Sequence, residues 1–192
     1  ADRVRAMNPG AVLVLRLPLT PDSAERVECA AITGLDAVHL CADEVGTERG
    51  AGNRPRFLPE ALIDVHERLV AAGLRDRISI LAGGGIAAAE HVPKALVCGA
   101  DAVAVDDSLV VALGCALWAD VRYPCPVEDR EVDAEWGTQR IVNLMAAWRD
   151  QLLEVLGAMG MREVMRLRGE LGRTIVQQEE ERAFRALFGV IS

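Results

Sequence analysis

Three consecutive glycines, Gly83, Gly84 and Gly85, stand between an apolar run and a helical stretch. A glycine turn at a strand's end lets backbone approach a phosphate, and the helix start beyond it offers unpaired N–H groups and the positive end of a dipole. The same residues suit a tight turn from strand to helix, and the sequence leaves both readings open. His39, His66 and His91 fall within a strand, on the polar side of a helix and in a helix's first turns. Their spacing matches no metal motif, so each is assigned a structural role. No nucleophile elbow or cysteine-enzyme signature surrounds any Ser or Cys.

The elements that must carry these residues follow from periodicity. Residues 11–19 form a β-branched and Leu-rich run predicted as a strand, and residues 21–33 a helix with Asp22 and Ser23 as candidate caps, stopped by Gly34. Residues 37–41 are a second strand, and residues 43–55, glycine-rich and charged, a loop. Leu58, Leu62, Val65 and Leu69 recur at the spacing of a helix with one buried face, ended by Gly73. A third strand is predicted over 78–81, a helix over 88–97 with Pro93 in its first turns, and a fourth strand over 102–105.

Strands that are apolar nearly throughout, alternating with helices, argue for a parallel α/β sheet. Beyond Asp107 only helices are expected: 108–118, a long one over 139–159, and shorter ones over 162–172 and 179–188. Residues 122–136, with Pro124 and Pro126, read as irregular and acidic. The long helix presents Ile141, Leu144, Trp148, Leu152 and Leu156 on a face that must pack against something. Four parallel strands leave two open edges, which proteins normally cover or close. Another chain, a second copy or an upstream segment is therefore expected to complete the sheet, with the edge near Val12 to Leu17 and the Trp148 face as candidate surfaces.

At 192 residues and 51% apolar content the chain can bury a core, and a formal charge of −8 gives no footprint for nucleic acid or an anionic membrane. Five cysteines, Cys29, Cys41, Cys98, Cys115 and Cys125, lie scattered in apolar contexts. Reduced, buried thiols and a cytoplasmic location follow. No run is long enough to span a bilayer and nothing near Ala1 resembles a signal peptide; the missing initiating Met points to a processed terminus or to a fragment.

Gly73 to Arg77 (GLRDR), the Gly83–Gly85 turn, Gly99-Ala100-Asp101, Leu113-Gly114-Cys115 and Cys125-Pro126, taken in order, resemble the FMN-binding domain of glutamate synthase. Trp148, Arg149, Leu156-Gly157 and Leu167 to Arg173 (LRGELGR) resemble the end of the shorter archaeal-type members. The resemblance covers essentially the whole chain. It implies the C-terminal half of a (β/α)8 TIM barrel over residues 1–126, its strands matching the barrel's last four, and a C-terminal helical extension over 127–192.

In that family the flavin lies at the carboxyl ends of the strands, with its phosphate near the last two. The resemblance puts Gly83, Gly84 and Gly85 at the FMN phosphate, followed here by Ile86-Ala87-Ala88-Ala89 where the family has an Arg. It puts Asp106 and Asp107 where the family has a Gly-Thr pair. Each carboxylate about 4 Å from a phosphate costs on the order of 1 kcal/mol in water, or about 4 at an effective dielectric near 20. Arg16 stands in place of a family Lys, keeping a cation that cannot readily lose its proton. Asp43 to Glu48 replaces the family's flavin-side loop, with Gly46 and Thr47 retained; its acidic residues read as solvated.

Cys115 and Cys125 match the first and third ligands of the family's three-iron cluster, with Val121 at the middle position, so they read as remnants and no metal is expected. The combined expectation is a degenerate homologue without a cofactor, acting as a structural or partner-binding subunit. The alternative is an active FMN-dependent oxidoreductase completed by an N-terminal half or a partner chain.

Overall fold

The structure is a computed structural model that describes residues 2–50, 52, 55–115 and 133–171. A short helix, α1 (Asp2–Met7), leads into β1 (Val14–Pro18), α2 (Ser23–Ile32), β2 (Ala37–Cys41) and α3 (Leu58–Ala71). Then come β3 (Ser79–Gly83), α4 (His91–Val97), β4 (Ala102–Val103) and α5 (Asp107–Ala112). A 25-residue helix, α6 (Ala134–Ala158), follows. The four strands are all parallel and lie side by side in chain order. This is the α/β arrangement that the sequence periodicity predicts, and it is consistent with part of a barrel.

Period-two alternation sends Leu17, Val38, Leu40, Ile80 and Ala82 to one face, where all are buried. Leu62, Val65 and Leu69 of α3, fully buried at helical spacing, meet them there, as do Val27 of α2 and Leu96 of α4. The same core takes in Leu156, Met161 and Leu167 from the C-terminal part of the chain. The opposite, concave face is only partly covered by the described residues: Val14 is 54% exposed and Arg16, Ser79 and Ala102 are exposed, whereas Ala37 and Gly83 are buried.

Several boundaries differ from the sequence-based expectations. Helix α4 starts at His91 instead of residue 88, because the His91 ring Nδ1 lies 3.1 Å from the Gly85 carbonyl and 3.2 Å from the Ala87 amide and closes the preceding loop. Helix α6 starts at Ala134, inside the stretch expected to be irregular. Asp133 caps it, accepting from the Trp136 amide at 2.8 Å, while Arg140 stacks 5.3 Å from the Trp136 ring centroid and donates to the Ala112 carbonyl at 2.7 Å. Residues 116–132 and the helix expected over 179–188 lie outside the described residues, as do Val121 and Cys125. Of the helix expected over 162–172 only a 3-10 turn, Val164–Leu167, is found.

Its early end has an electrostatic cause. Arg168 turns back to donate to Asp101 at 2.8 Å and Asp76 at 2.7 Å, and Gly169, at φ 74°, carries the chain over the His66 ring, where a Cβ would collide with Nε2. Asp101 also accepts from the Ile80 amide at 2.7 Å and from Arg75 at 2.7 Å. Arg75, only 5% exposed, further donates to the Gly99 and Ile78 carbonyls and to His66 Nδ1. His66 is thus half-buried under the C-terminal segment, not on a solvated helix face as its sequence context suggests. Burial, followed by the charges of Arg75 and Arg168, lowers its pKa, and the acceptor role of Nδ1 fits a neutral ring.

A buried ion pair holds only when its remaining lone pairs and protons are satisfied, and here Asp101 receives three donor groups. Asp101→Asn preserves the shape while removing the charge that faces Arg75 and Arg168. It is expected to lower unfolding stability by about 3–5 kcal/mol, read as a fall in urea midpoint at unchanged slope. A loss below about 1 kcal/mol would show that the clasp contributes little.

Candidate functional site

The parallel register fixes which side chains share the concave face. Arg16, His39, Leu81 and Ala102 form one row across the sheet, and Pro18, Cys41 and Gly83 the next toward the carboxyl ends. Arg16 Nε donates to Cys41 Sγ at 3.1 Å. That contact, followed by the field of Asp106, raises the Arg16 pKa further, so the guanidinium remains a fixed cation. His39 Nε2 is buried without a hydrogen-bond partner among the described residues, directly beneath Gly83, where a Cβ would sit 2.6 Å from it. Burial and then the Arg16 charge lower the His39 pKa, against the pull of Asp106. Of these three side chains the sequence marks only Arg16 as a candidate site residue. His39 and Cys41, two residues apart in β2, share its face, but only the inter-strand register reveals that.

The glycine turn is held by close backbone approach. A Cβ on Gly84 would lie 2.5 Å from the Ala42 carbonyl oxygen, and one on Gly85 2.5 Å from Gly46 Cα. Both have positive φ, 86° and 70°. The turn therefore nests against the loop after β2, which accounts for these glycines without any ligand. Among the described residues, however, the amides of Gly84, Gly85 and Ile86 have no hydrogen-bond acceptor, so they remain available to an anion.

That β2 loop is not the solvated acidic segment expected. Asp43 accepts from the Val45 amide, the Thr47 amide and the Thr47 hydroxyl at 3.1, 2.7 and 2.6 Å. Burial would raise its pKa, but these donors outweigh burial and hold it below the ordinary value. Glu48 is buried and pairs with Arg56 at 3.0 Å, because the loop folds back to bridge Thr47 with Phe57. Of the three acids Asp43, Glu44 and Glu48, only Glu44 is exposed.

Asp106 and Asp107 follow β4 at the start of α5. Asp106 Oδ1 accepts from the Asp107 amide at 2.8 Å and so caps the short helix. The Asp107 carboxyl is pushed up by burial, then by the charges of Asp106 and Glu44. The strand ends thus carry a cluster of mutually repelling acids beside a neutral histidine and a fixed arginine. A phosphate in this corner would meet the free amides of the glycine turn on one side and these carboxylates on the other. The donor set on the β4 side does not fit a dianion.

Cys115 is half-buried and distant in sequence from any described partner thiol, and Cys125 lies outside the described residues. Among the described residues no group of three or more His, Cys, Asp and Glu side chains converges to hold a metal. His39, His66 and His91 occupy three separate places: the concave face, the Arg75 clasp and the β3–α4 loop.

Comparison with known proteins adds ancestry to this geometry. Residues 55–162 match the family model described as the conserved region in glutamate synthase. Archaeal glutamate synthase [NADPH] of Methanocaldococcus jannaschii is 34% identical over 146 residues, covering 67% of this chain and 28% of that protein. The Thermotoga neapolitana archaeal-type glutamate synthase [NADPH] is 35% identical over 142 residues, 65% of this chain and 28% of the relative. The chain thus spans under a third of the length of the curated relatives it matches.

Among solved structures, a flavocytochrome b2 variant with sulfite bound superposes with TM-score 0.60 at 18% identity, covering 92% of this chain and 41% of that one. The recombinant flavin-binding domain of baker's yeast flavocytochrome b2 gives 0.57 at 18% identity, covering 91% and 40%. At that identity the likeness concerns the fold alone.

The raised Asp107 pKa has a definite sign in stability. Between the unfolded value, 3.8, and the higher folded value, the native state holds more protons than the unfolded one, so stability falls as pH rises through that window. At neutral pH the charge is a net cost. Asp107→Asn is therefore expected to raise the melting temperature slightly at pH 7, with the gain vanishing as pH falls toward 3.8. A variant less stable than the parent at pH 7 would contradict the repulsion.

Proposed function

The chain belongs to the glutamate synthase family, and on that premise we propose that it is a degenerate FMN-domain homologue acting as a structural or partner-binding subunit. Residues 1–126 supply part of the barrel wall and 127–192 the helical extension, in a cytoplasmic assembly. The observation that carries this reading is the acidic corner: burial, Asp106 and Glu44 push the Asp107 carboxyl up before any anion arrives. A phosphate monoester brings a further charge of about −1.5 to −2 into that field. With two carboxylates about 4 Å away at an effective dielectric near 20, the penalty amounts to several powers of ten in affinity.

The partly uncovered concave face supports the partner-binding half of the reading. Parallel sheets are normally covered on both faces, and this one leaves Val14, Arg16, Ser79 and Ala102 exposed. A second segment of the same polypeptide, or another chain, would cover that face and pair with the free edge of β1. Among the described residues no helix is long and apolar enough to cross a membrane.

A second reading rests on the unpaired amides of Gly84, Gly85 and Ile86, which suit a phosphate. It is an FMN-dependent oxidoreductase of glutamate-synthase type whose site is completed by that same partner. The two readings separate on one exchange. In the native assembly, Asp106→Gly combined with Asp107→Thr is expected to raise FMN affinity at least tenfold, measured by quenching of flavin fluorescence. Unchanged or weakened FMN binding in the double variant would remove the electrostatic basis of the scaffold reading.

A further inference from the structure

On the outer side of the strand ends, between the starts of α3 and α4, lies a cavity of about 490 Å³, within the range of small-molecule sites. We propose that it binds a small carboxylate with an apolar body. Its walls are Phe57, Leu58, Pro59 and Ile86, with Val45 at the rim. Phe57 is 58% exposed and Val45 70% exposed, apolar surface that a ligand's body would remove from water.

Among the described residues the only side chains with polar atoms that line the cavity are His91 and Lys94, three residues apart and so on one side of α4. Both can donate, and among the described residues no carboxylate lines the cavity. Lys94 is the only lysine in a chain whose other 20 basic residues are arginines, and it forms no ion pair among the described residues. A compact ammonium on a flexible stem suits a small anion held as a point charge.

The histidine is held ready for the same task. Its Nδ1 sits between the Ala87 amide and the Gly85 carbonyl, at 3.2 and 3.1 Å. When the ring is neutral with the proton on Nε2, Nδ1 accepts from Ala87. When it is protonated, Nδ1 donates to Gly85. In both of these states the loop fixes the ring through Nδ1 and Nε2–H donates, whereas the neutral tautomer with its proton on Nδ1 donates to Gly85 and leaves Nε2 an acceptor, so a bound anion selects the former. An anion satisfies Nε2–H and the ammonium together, whereas a cation or a neutral acceptor-poor ligand leaves them unmatched.

The cavity shares Gly84 and Gly85 with the glycine turn, but Arg16, His39, Asp106 and Asp107 do not line it. The inference therefore stands apart from the fate of the flavin corner.

The test titrates the full chain with phenylacetate and, separately, with the uncharged phenylacetamide, following backbone amide resonances by NMR. Saturable shifts centred on Phe57, Ile86 and Lys94, with Kd of about 1 mM or tighter and at least tenfold preference for the carboxylate, are expected. Lys94→Met should weaken phenylacetate about tenfold while Lys94→Arg retains most of the affinity, and melting curves should show both variants folded. Equal affinity for the two compounds overturns the proposal, as does Lys94→Met binding within about twofold of the parent. So do shifts confined to the concave strands, or no saturation by about 10 mM.

Discussion

One-sided burial governs this molecule. Among the described residues the helices cover one face of the parallel sheet, sealing Leu17, Val38, Leu40, Ile80 and Ala82, and leave the edge of β1 and much of the other face open. A fully buried Leu or Ile gains about 1.5–3 kcal/mol over an exposed one, so the covered face supplies the cohesion. The row from Arg16 to Ala102, exposed at both ends, supplies less. It is on this partly open face that Arg16, His39 and Cys41 meet, and it is the strand ends above it that gather Glu44, Asp106 and Asp107.

Two further contacts hold the wall in shape. The Arg75–Asp101–Arg168 clasp ties α3, the β3–β4 connection and the C-terminal segment across His66. The glycine turn is pressed so closely against the loop after β2 that a Cβ on Gly84 or Gly85 would strike backbone atoms. These glycines have a sufficient reason in packing, and for that reason their presence alone says little about phosphate. The carboxylates across from them are the more informative residues, because burial beside like charges is a cost that close packing does not require.

Much of this was legible in the sequence. The order of strands and helices followed from apolar runs and the four-three-four spacing of Leu58, Leu62, Val65 and Leu69, and the family membership from motifs in chain order, as the match over residues 55–162 bears out. The shortfall of strands was legible too. What escaped were long-range partnerships. Glu48 looks like a loop acid until Arg56 reaches it, and His66 looks solvated until Gly99 and Gly169 close over it. Asp133, a helix cap, was hidden in a stretch that its prolines made look irregular. The His39–Cys41–Arg16 grouping needed a register that no single strand encodes.

The central claim is that this corner repels the phosphate of a flavin nucleotide. Its most direct test is the visible absorption spectrum of the protein purified under native conditions with whatever chains accompany it. The account expects no flavin band attributable to this domain and no FMN released from it on denaturation. Stoichiometric FMN, released on unfolding and located by density beside Asp106 and Asp107, would contradict it.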